Sequence, residues 1–348
     1  MRLITNSIPL GANVHKNLLP VVRILIALSA VSYIIFILTG ISEKEWIIWK
    51  TALDITPSRL LALGLAFLLM PVNWAFEVAK WKLLSEKLQP QSWNKVMQAV
   101  LYGISLGMIT PKRTGEFAGR VYWLQPGNRF SGLLLNTAGS LSQLFITIFA
   151  GVTAVFIMLP QMQSHYKLVA PEMASPSWFL RAGITGGIVI LACLVFLLKI
   201  SRAKNLRRNT LRSKIQNRLN VFTLLSAKDF SRLTGLSFLR YCTFSFQFYL
   251  LITLFGLQIP FFTAFSLIAI IYLFMTLIPL SAIWELGVRG SVAVLVFGLY
   301  FTPAQSQTFE MPVLAATSLL WAINLGIPAL TGGFLGLNSE LNKTKNKE

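Results

Sequence analysis

Residues 109–124 read ITPKRTGEFAGRVYWL, and residues 278–298 read IPLSAIWELGVRGSVAVLVFG. Each interrupts a long apolar region: Val96–Leu124 is broken at Thr110-Pro111, and Phe261–Phe301 at Pro279–Gly290. Proline has no N–H to donate and disfavours helix in the residue before it, so each region divides into two arms. Both stretches run proline, then glutamate (Glu116, Glu285), then arginine four residues on (Arg120, Arg289), with a glycine close by. The proline-to-glutamate spacing is one residue longer in the second.

The surrounding composition is that of a membrane protein. Of 348 residues 55% are apolar and 12% charged, about half the charge of a soluble domain. The formal net charge is +19, from 31 Lys and Arg against 12 Asp and Glu. Such a balance can mark a nucleic-acid binder, but here the basic residues sit in loops between apolar runs, and no nucleic acid is expected as a partner. Cys193 and Cys242 each lie within an apolar run, His15 and His165 are far apart, and the only aspartates are Asp54 and Asp229. No metal site, P-loop or dinucleotide fingerprint follows, so neither a cofactor nor catalytic chemistry is expected.

A helix crosses the hydrocarbon core with roughly 17–25 residues. Val21–Gly40, Leu60–Ala79, Ser131–Leu159, Trp178–Ile200, Leu236–Leu257 and Met311–Leu335 meet that length as full spans. Cytoplasmic loops are rich in Lys and Arg. The loop segments 1–23, 80–95, 112–130, 201–233 and 336–348 hold 23 of them, against five in 41–59, 160–181 and 302–310. That division requires regions 96–124 and 261–301 each to enter and leave by one face, as re-entrant hairpins. Such backbone is tolerated only where protein or a cavity shields it.

The expected architecture is therefore all-α, with about six full spans and two broken-helix hairpins arranged as an inverted repeat, the plan of many transporters. Residues 1–335 form one transmembrane domain and 336–348 a short tail, both termini being cytoplasmic.

The two quoted stretches resemble the signatures of the lysylphosphatidylglycerol synthetase transmembrane (flippase-like) domain family. There the first reads like Pro-Gly-Arg-x-Gly-Glu-x-x-Arg and the second like Pro-…-Gly-Gly-x-Gly-Val-Arg-Glu. The likeness falls on Pro111, Arg113, Gly115 and Glu116, and on Gly287, Val288 and Arg289, and extends over roughly residues 20–335. Lys112 stands where the family often has glycine, Arg120 comes one position late, Glu285 replaces a glycine, and Gly290 replaces the usual acid. Larger members carry a soluble aminoacyl-transferase domain as well, and no synthase domain is expected here. The resemblance implies a bacterial inner-membrane protein that handles a phospholipid or another lipid with an anionic headgroup, with membrane lipids as partners.

Charges at mid-membrane cost about 2.5–3.5 kcal/mol each, so Glu116, Arg120, Glu285 and Arg289 need a reason to be there. One reading is a headgroup site in which Arg113, Arg120 and Arg289 grip phosphate through planar forks, Glu116 and Glu285 receive a headgroup amine, and Trp284 lines the pocket. Pro111, Gly115, Pro279 and Gly287 would then be its hinges. The other reading is that each Glu–Arg pair, spaced i, i+4, neutralises itself along one helix face. Glu77 and Lys80 are expected to form an interfacial pair reaching for water. Trp74, Trp81 and Trp123 read as interfacial belt residues, and Gly103 with Gly107 as a packing step. In segment 201–222, Leu211, Ile215, Leu219 and Phe222 share a helix face while Arg208, Arg212, Lys214 and Arg218 occupy the others. This is a basic amphipathic helix suited to the anionic inner leaflet. Two other functions fit less of the sequence: a membrane transferase acting on a lipid-linked substrate, and a scaffold for a separate lipid-synthesising enzyme.

Overall fold

Thr56 and Pro57 open the first helix, α1 (Pro57–Ser85). The threonine hydroxyl accepts the N–H of Arg59 at 3.4 Å, and proline occupies the first turn, where a missing N–H costs nothing. The computed structural model describes residues 56–110, 113–169, 220–278, 282–301 and 306–345, and every regular element among them is helical. The expected spans Val21–Gly40 and Trp178–Ile200, the basic residues Arg208, Arg212, Lys214 and Arg218, and Pro111 and Pro279 lie outside the described residues.

After α1 come α2 (Trp93–Ile109), the short α3 (Thr114–Tyr122) and the long α4 (Arg129–Val169). The chain is next described at a 3-10 turn, Asn220–Leu224, followed by α5 (Ala227–Leu254), α6 (Phe261–Leu277), α7 (Ala282–Gly298) and α8 (Ser306–Trp321). A π-turn, Ala322–Gly326, joins α8 to α9 (Ile327–Lys345). The last helix thus runs on through much of the expected tail. Phe222, expected on the lipid face of an amphipathic helix, is instead buried on the 3-10 turn. Seven consecutive residues of α6, Ser266 to Tyr272, are buried, and all but Ser266 belong to the apolar core.

Among the described residues three helical segments are long and apolar enough to cross a membrane: Pro57–Ser85, Pro126–Met158 and Phe309–Gly336. They correspond to three of the expected spans. The expected span Leu236–Leu257 lies largely on α5, which is 28 residues long but is not among them. Its buried residues include the polar Ser237, Ser245 and Gln247, which lower its hydropathy while facing protein.

The same inversion explains α1. Leu60, Leu61 and Leu68 are exposed, whereas Asn73, Trp74, Glu77, Lys80 and Trp81 are buried. Lipid is as apolar as leucine, so leucines turn outward at no cost and polar groups turn toward one another. This corrects two expectations. Trp74 and Trp81 are interior residues rather than belt residues, and Glu77 and Lys80 are enclosed by protein rather than reaching for water. A third correction concerns the second break, expected over Pro279–Gly290. Helix α7 begins at Ala282, so Glu285, Gly287 and Arg289 all lie on it.

The two broken regions pack against the two halves of the chain in a reciprocal way. Helix α2 lies against α9, and α6 lies against α4. Both α2 and α6 have 17 residues. A β-carbon on Gly332 of α9 would sit 2.0 Å from the Leu101 carbonyl oxygen and 2.7 Å from the Ser105 hydroxyl, the ninth and thirteenth residues of α2. One on Gly151 of α4 would sit 3.0 Å from the Ala269 carbonyl oxygen and 2.5 Å from Leu273 Cβ, the ninth and thirteenth residues of α6. Only glycine lets backbones approach so closely.

Candidate functional site

Thr110 ties the two arms of the first broken region together. Its hydroxyl donates to the Leu106 carbonyl at 3.0 Å and accepts the N–H of Gly115 at 2.7 Å, spanning the gap between α2 and α3. The arms then run antiparallel with glycine facing glycine. A β-carbon on Gly119 would lie 2.5 Å from Gly103 Cα, one on Gly115 2.3 Å from the Leu106 carbonyl oxygen, and one on Gly107 3.3 Å from Glu116 Cβ. Gly103 and Gly107 therefore pack as expected, against a second small-residue step, Gly115 and Gly119, that the sequence reading did not separate out. Gly115 and Gly287, expected as hinges, both lie inside helices; Gly115 serves close packing, and a β-carbon on Gly287 would meet nothing within 4 Å.

Close packing of the arms delivers Glu116 and Arg120 of α3 to the buried face of α1. Arg120 donates to Glu116, to Glu77 at 2.8 Å and to the Asn136 side chain of α4 at 3.0 Å. Glu77 also holds Lys80 at 2.9 Å and Arg240 of α5 at 3.1 Å. Toward the other side, Glu116 meets Arg113 at 3.3 Å, and Arg113 reaches Glu285 of α7 at 3.8 Å. Glu285 pairs in turn with Arg289 on its own helix. A single chain of ion pairs thus connects both Glu–Arg motifs. Among the described residues it holds five cations, Lys80, Arg113, Arg120, Arg240 and Arg289, and three carboxylates, Glu77, Glu116 and Glu285.

Arg113 sits at the start of α3 with φ of 55°, and among the described residues it is the non-glycine residue with positive φ. A side chain in this left-handed region costs on the order of 1 kcal/mol. The backbone bends here so that one guanidinium stands between Glu116 and Glu285, which lie on different helices.

Beside this chain of charges lies a cavity of about 60 Å³ bordered by Arg113, Arg240, Glu285 and Arg289, with Trp74, Phe244 and Trp321 supplying apolar wall. Arg240 stands over the Trp74 ring at 5.3 Å and Arg289 over the Phe244 ring at 5.8 Å, which orients both guanidiniums. Its far wall is the π-turn. Pro328 has no N–H to offer the carbonyl four residues back, that of Asn324, and the Trp74 indole donates to it instead at 3.1 Å. The Asn324 side chain accepts from Asn73 at 3.1 Å and donates to Gln247 at 2.8 Å, and Gln247 donates to the Ala66 carbonyl at 2.6 Å. π-Turns within helices recur at functional sites.

Of the expected headgroup residues, Arg113, Glu116, Arg120, Glu285 and Arg289 are thus brought into one network. The Trp284 side chain lies outside the described residues. Three residues join that were not expected at the site: Glu77, Lys80 and Arg240. Arg240 carried a usable signal, since it is a basic residue inside an apolar run with no acid within four positions. The i, i+4 pairing of both motifs is present, and it coexists with links between them.

A family profile described as the lysylphosphatidylglycerol synthase TM region matches residues 21–327. No curated protein and no solved structure matches the chain.

Proposed function

The chain belongs to the lysylphosphatidylglycerol synthase transmembrane-region family, and from that premise we propose that it binds a lipid with an anionic headgroup and moves it between leaflets. One observation carries this reading. Among the described residues, the chain of ion pairs that joins the two broken regions holds five cations against three carboxylates, and three of its arginines border a cavity. An uncompensated buried cation is costly, and a phosphate entering beside Arg113, Arg240 and Arg289 offsets that cost. Planar guanidinium forks match its oxygens in pairs. The protein does this without catalysis of its own.

The reading extends to topology. Six spans cross the membrane, and the α2–α3 and α6–α7 pairs are re-entrant hairpins of an inverted repeat within one domain, residues 1–335. Two facts support this. Helix α3, with nine residues, is about 13 Å long, well short of the roughly 30 Å hydrocarbon core. Gly332 of α9 meets α2 at the same two helix positions at which Gly151 of α4 meets α6, as an inverted repeat requires. Both termini face the cytoplasm of a bacterial inner membrane, with Arg208, Arg212, Lys214 and Arg218 on its anionic leaflet. The headgroup passes the charged site while the acyl chains stay in lipid, and a separate lipid-synthesising enzyme is a natural supplier of substrate.

Reconstitution with fluorescent anionic and zwitterionic lipids tests the proposal. Native protein is expected to exchange anionic lipid between leaflets, and Arg120→Ala and Arg289→Ala to insert normally yet lose most of that rate. Equal rates in all three proteins would remove the headgroup site from the mechanism.

A further inference from the structure

The structure assigns to Trp74 a positioning role in headgroup binding: its indole holds the Arg240 guanidinium at the cavity, and the π-turn in turn holds the indole. The inference rests on the headgroup-site reading above and names a residue through which that site is built.

One side chain makes both contacts. Trp74 is buried on α1, and the Arg240 guanidinium stands over its ring at 5.3 Å. Its indole N–H donates to the Asn324 carbonyl at 3.1 Å. The N–H bond lies in the plane of the ring, so a fixed N–H restricts where the ring face can point. The carbonyl is open to this donor because Pro328, four residues on, has no N–H to give it. Asn324 is itself held, accepting from Asn73 of α1 at 3.1 Å and donating to Gln247 of α5 at 2.8 Å. The anchor of the indole is therefore tied to the two helices that Trp74 and Arg240 come from.

Arg240 needs such a hold. Its side chain is 23% exposed and donates to Glu77 at 3.1 Å, a carboxylate that also serves Lys80 and Arg120. Trp74 precedes Glu77 by three residues, so ring and carboxylate share a face of α1 and grip the guanidinium together. Tryptophan is the strongest of the aromatic partners for a cation. A ring orients a guanidinium without supplying an oxygen, whereas a second carboxylate would compete with a headgroup phosphate for the same N–H groups. The device repeats one step on: Phe244, one turn after Arg240 on α5, lies under Arg289 of α7 at 5.8 Å. Trp74, Arg240, Phe244 and Arg289 all border the cavity.

The test uses the full chain in phosphatidylcholine vesicles doped with increasing phosphatidylglycerol, and reads the half-saturating fraction for binding together with the melting temperature. Trp74→Leu is expected to raise that fraction about fivefold. Added to Arg240→Gln, it is expected to raise it no further, because Trp74 acts through Arg240. Trp74→Phe keeps a ring and loses the N–H, and is expected to raise the fraction about twofold. Pro328→Ala, which gives the Asn324 carbonyl a donor of its own, is expected to return the melting temperature lost in Trp74→Phe while the fraction stays raised. A native half-saturation in Trp74→Leu, or losses that multiply with those of Arg240→Gln, would overturn the inference. So would a fraction that returns together with the melting temperature, which is the mark of a merely structural role. If Trp74→Leu does not fold, the Trp74→Phe and Pro328→Ala comparison decides. Leaflet exchange is scored in the same vesicles. Exchange by native protein with binding insensitive to residue 74 defeats this inference alone, and the expected shifts in binding without exchange defeat the translocation reading alone.

Discussion

Arg113, at the start of the short helix α3, lies 3.8 Å from Glu285 on α7, and through this pair the two Glu–Arg motifs share one network. It is the longest link in the chain of ion pairs, and Arg113 is 29% exposed at the side chain. A long, partly solvated pair is worth little in itself. Its position matters more, because it joins the helix that follows the first break to the helix that follows the second.

Glu77 anchors the opposite end and is expected to be the most sensitive carboxylate in the protein. Glu77→Gln leaves Lys80, Arg120 and Arg240 without their shared counter-charge. Removing one partner of a buried ion pair costs about 3–5 kcal/mol. Glu86→Gln breaks a pair with Lys82 whose carboxylate is 47% exposed, and is expected to change stability by less than about 1 kcal/mol. Thermal unfolding in detergent compares the two; equal losses would show that the Glu77 cluster is not buried as described.

The glycine contacts make a second contrast. Gly119→Ala forces a methyl to within 2.5 Å of Gly103 Cα, and Gly332→Ala to within 2.0 Å of the Leu101 carbonyl. Each is expected to destabilise the protein by about 1–3 kcal/mol. Gly235→Ala, with nothing within 4 Å, is expected to be neutral or slightly stabilising because alanine favours helix. Melting temperatures of the three variants check this, and a tolerated Gly119→Ala would mean that the arms of the first broken region are not in contact.

Asp229 supplies a pH dependence. It caps α5 together with Ser226, accepting the Ser226 N–H at 2.9 Å, and pairs with Lys87 at 2.8 Å. Burial raises its carboxyl, but the Lys87 and Ser226 hydrogen bonds more than offset this and hold it below the usual aspartate value. A group depressed in the folded state stabilises fully above its unfolded pKa, near 4, and that stability is lost as pH falls through the lower folded value. Asp229→Asn is therefore expected to be less stable than native by about 1 kcal/mol above pH 5 or so, with the gap closing on acidification. A gap that widens toward acid would contradict the assignment.

Topology is open to direct labelling. Single cysteines introduced at Ser306 and Ser213 are expected to react with an impermeant maleimide from outside the cell in the first case and only after permeabilisation in the second. Labelling of both from one side would exclude the six-span arrangement with two re-entrant hairpins.

Much of this was legible before any coordinates. Three of the expected spans fall on the segments that are long and apolar enough to cross a membrane, and the break at Thr110-Pro111 falls where α2 ends at Ile109. Glu116, Arg120, Glu285 and Arg289 stood out because isolated charges in apolar surroundings demand partners. Glu77 did not, because Lys80 three residues on offered a sufficient local partner, while Arg120 and Arg240 come from helices distant in the sequence. Trp74 and Trp81 misled for a related reason. Tryptophan favours the membrane interface on average, yet these two share a helix face with Glu77 and so turn inward with it. The second break, expected over Pro279–Gly290, is shorter on its far side, because Gly287 and Gly290 lie on α7. Glycine inside an apolar segment is compatible with helix, and the Glu285–Arg289 pair at i, i+4 fits a helical turn.

If both broken regions form one headgroup site, Arg113 and Glu285 are coupled in lipid transport, and a double-mutant cycle on the leaflet-exchange rate measures that coupling. The rate is measured for native protein, Arg113→Gln, Glu285→Gln and the double variant in the same anionic-lipid vesicles. One shared site predicts strong coupling: the double variant exchanges lipid no more slowly than the worse single variant, a departure from multiplicativity of about tenfold. Two losses that simply multiply would mean that Arg113 and Glu285 act independently, and would contradict a single site.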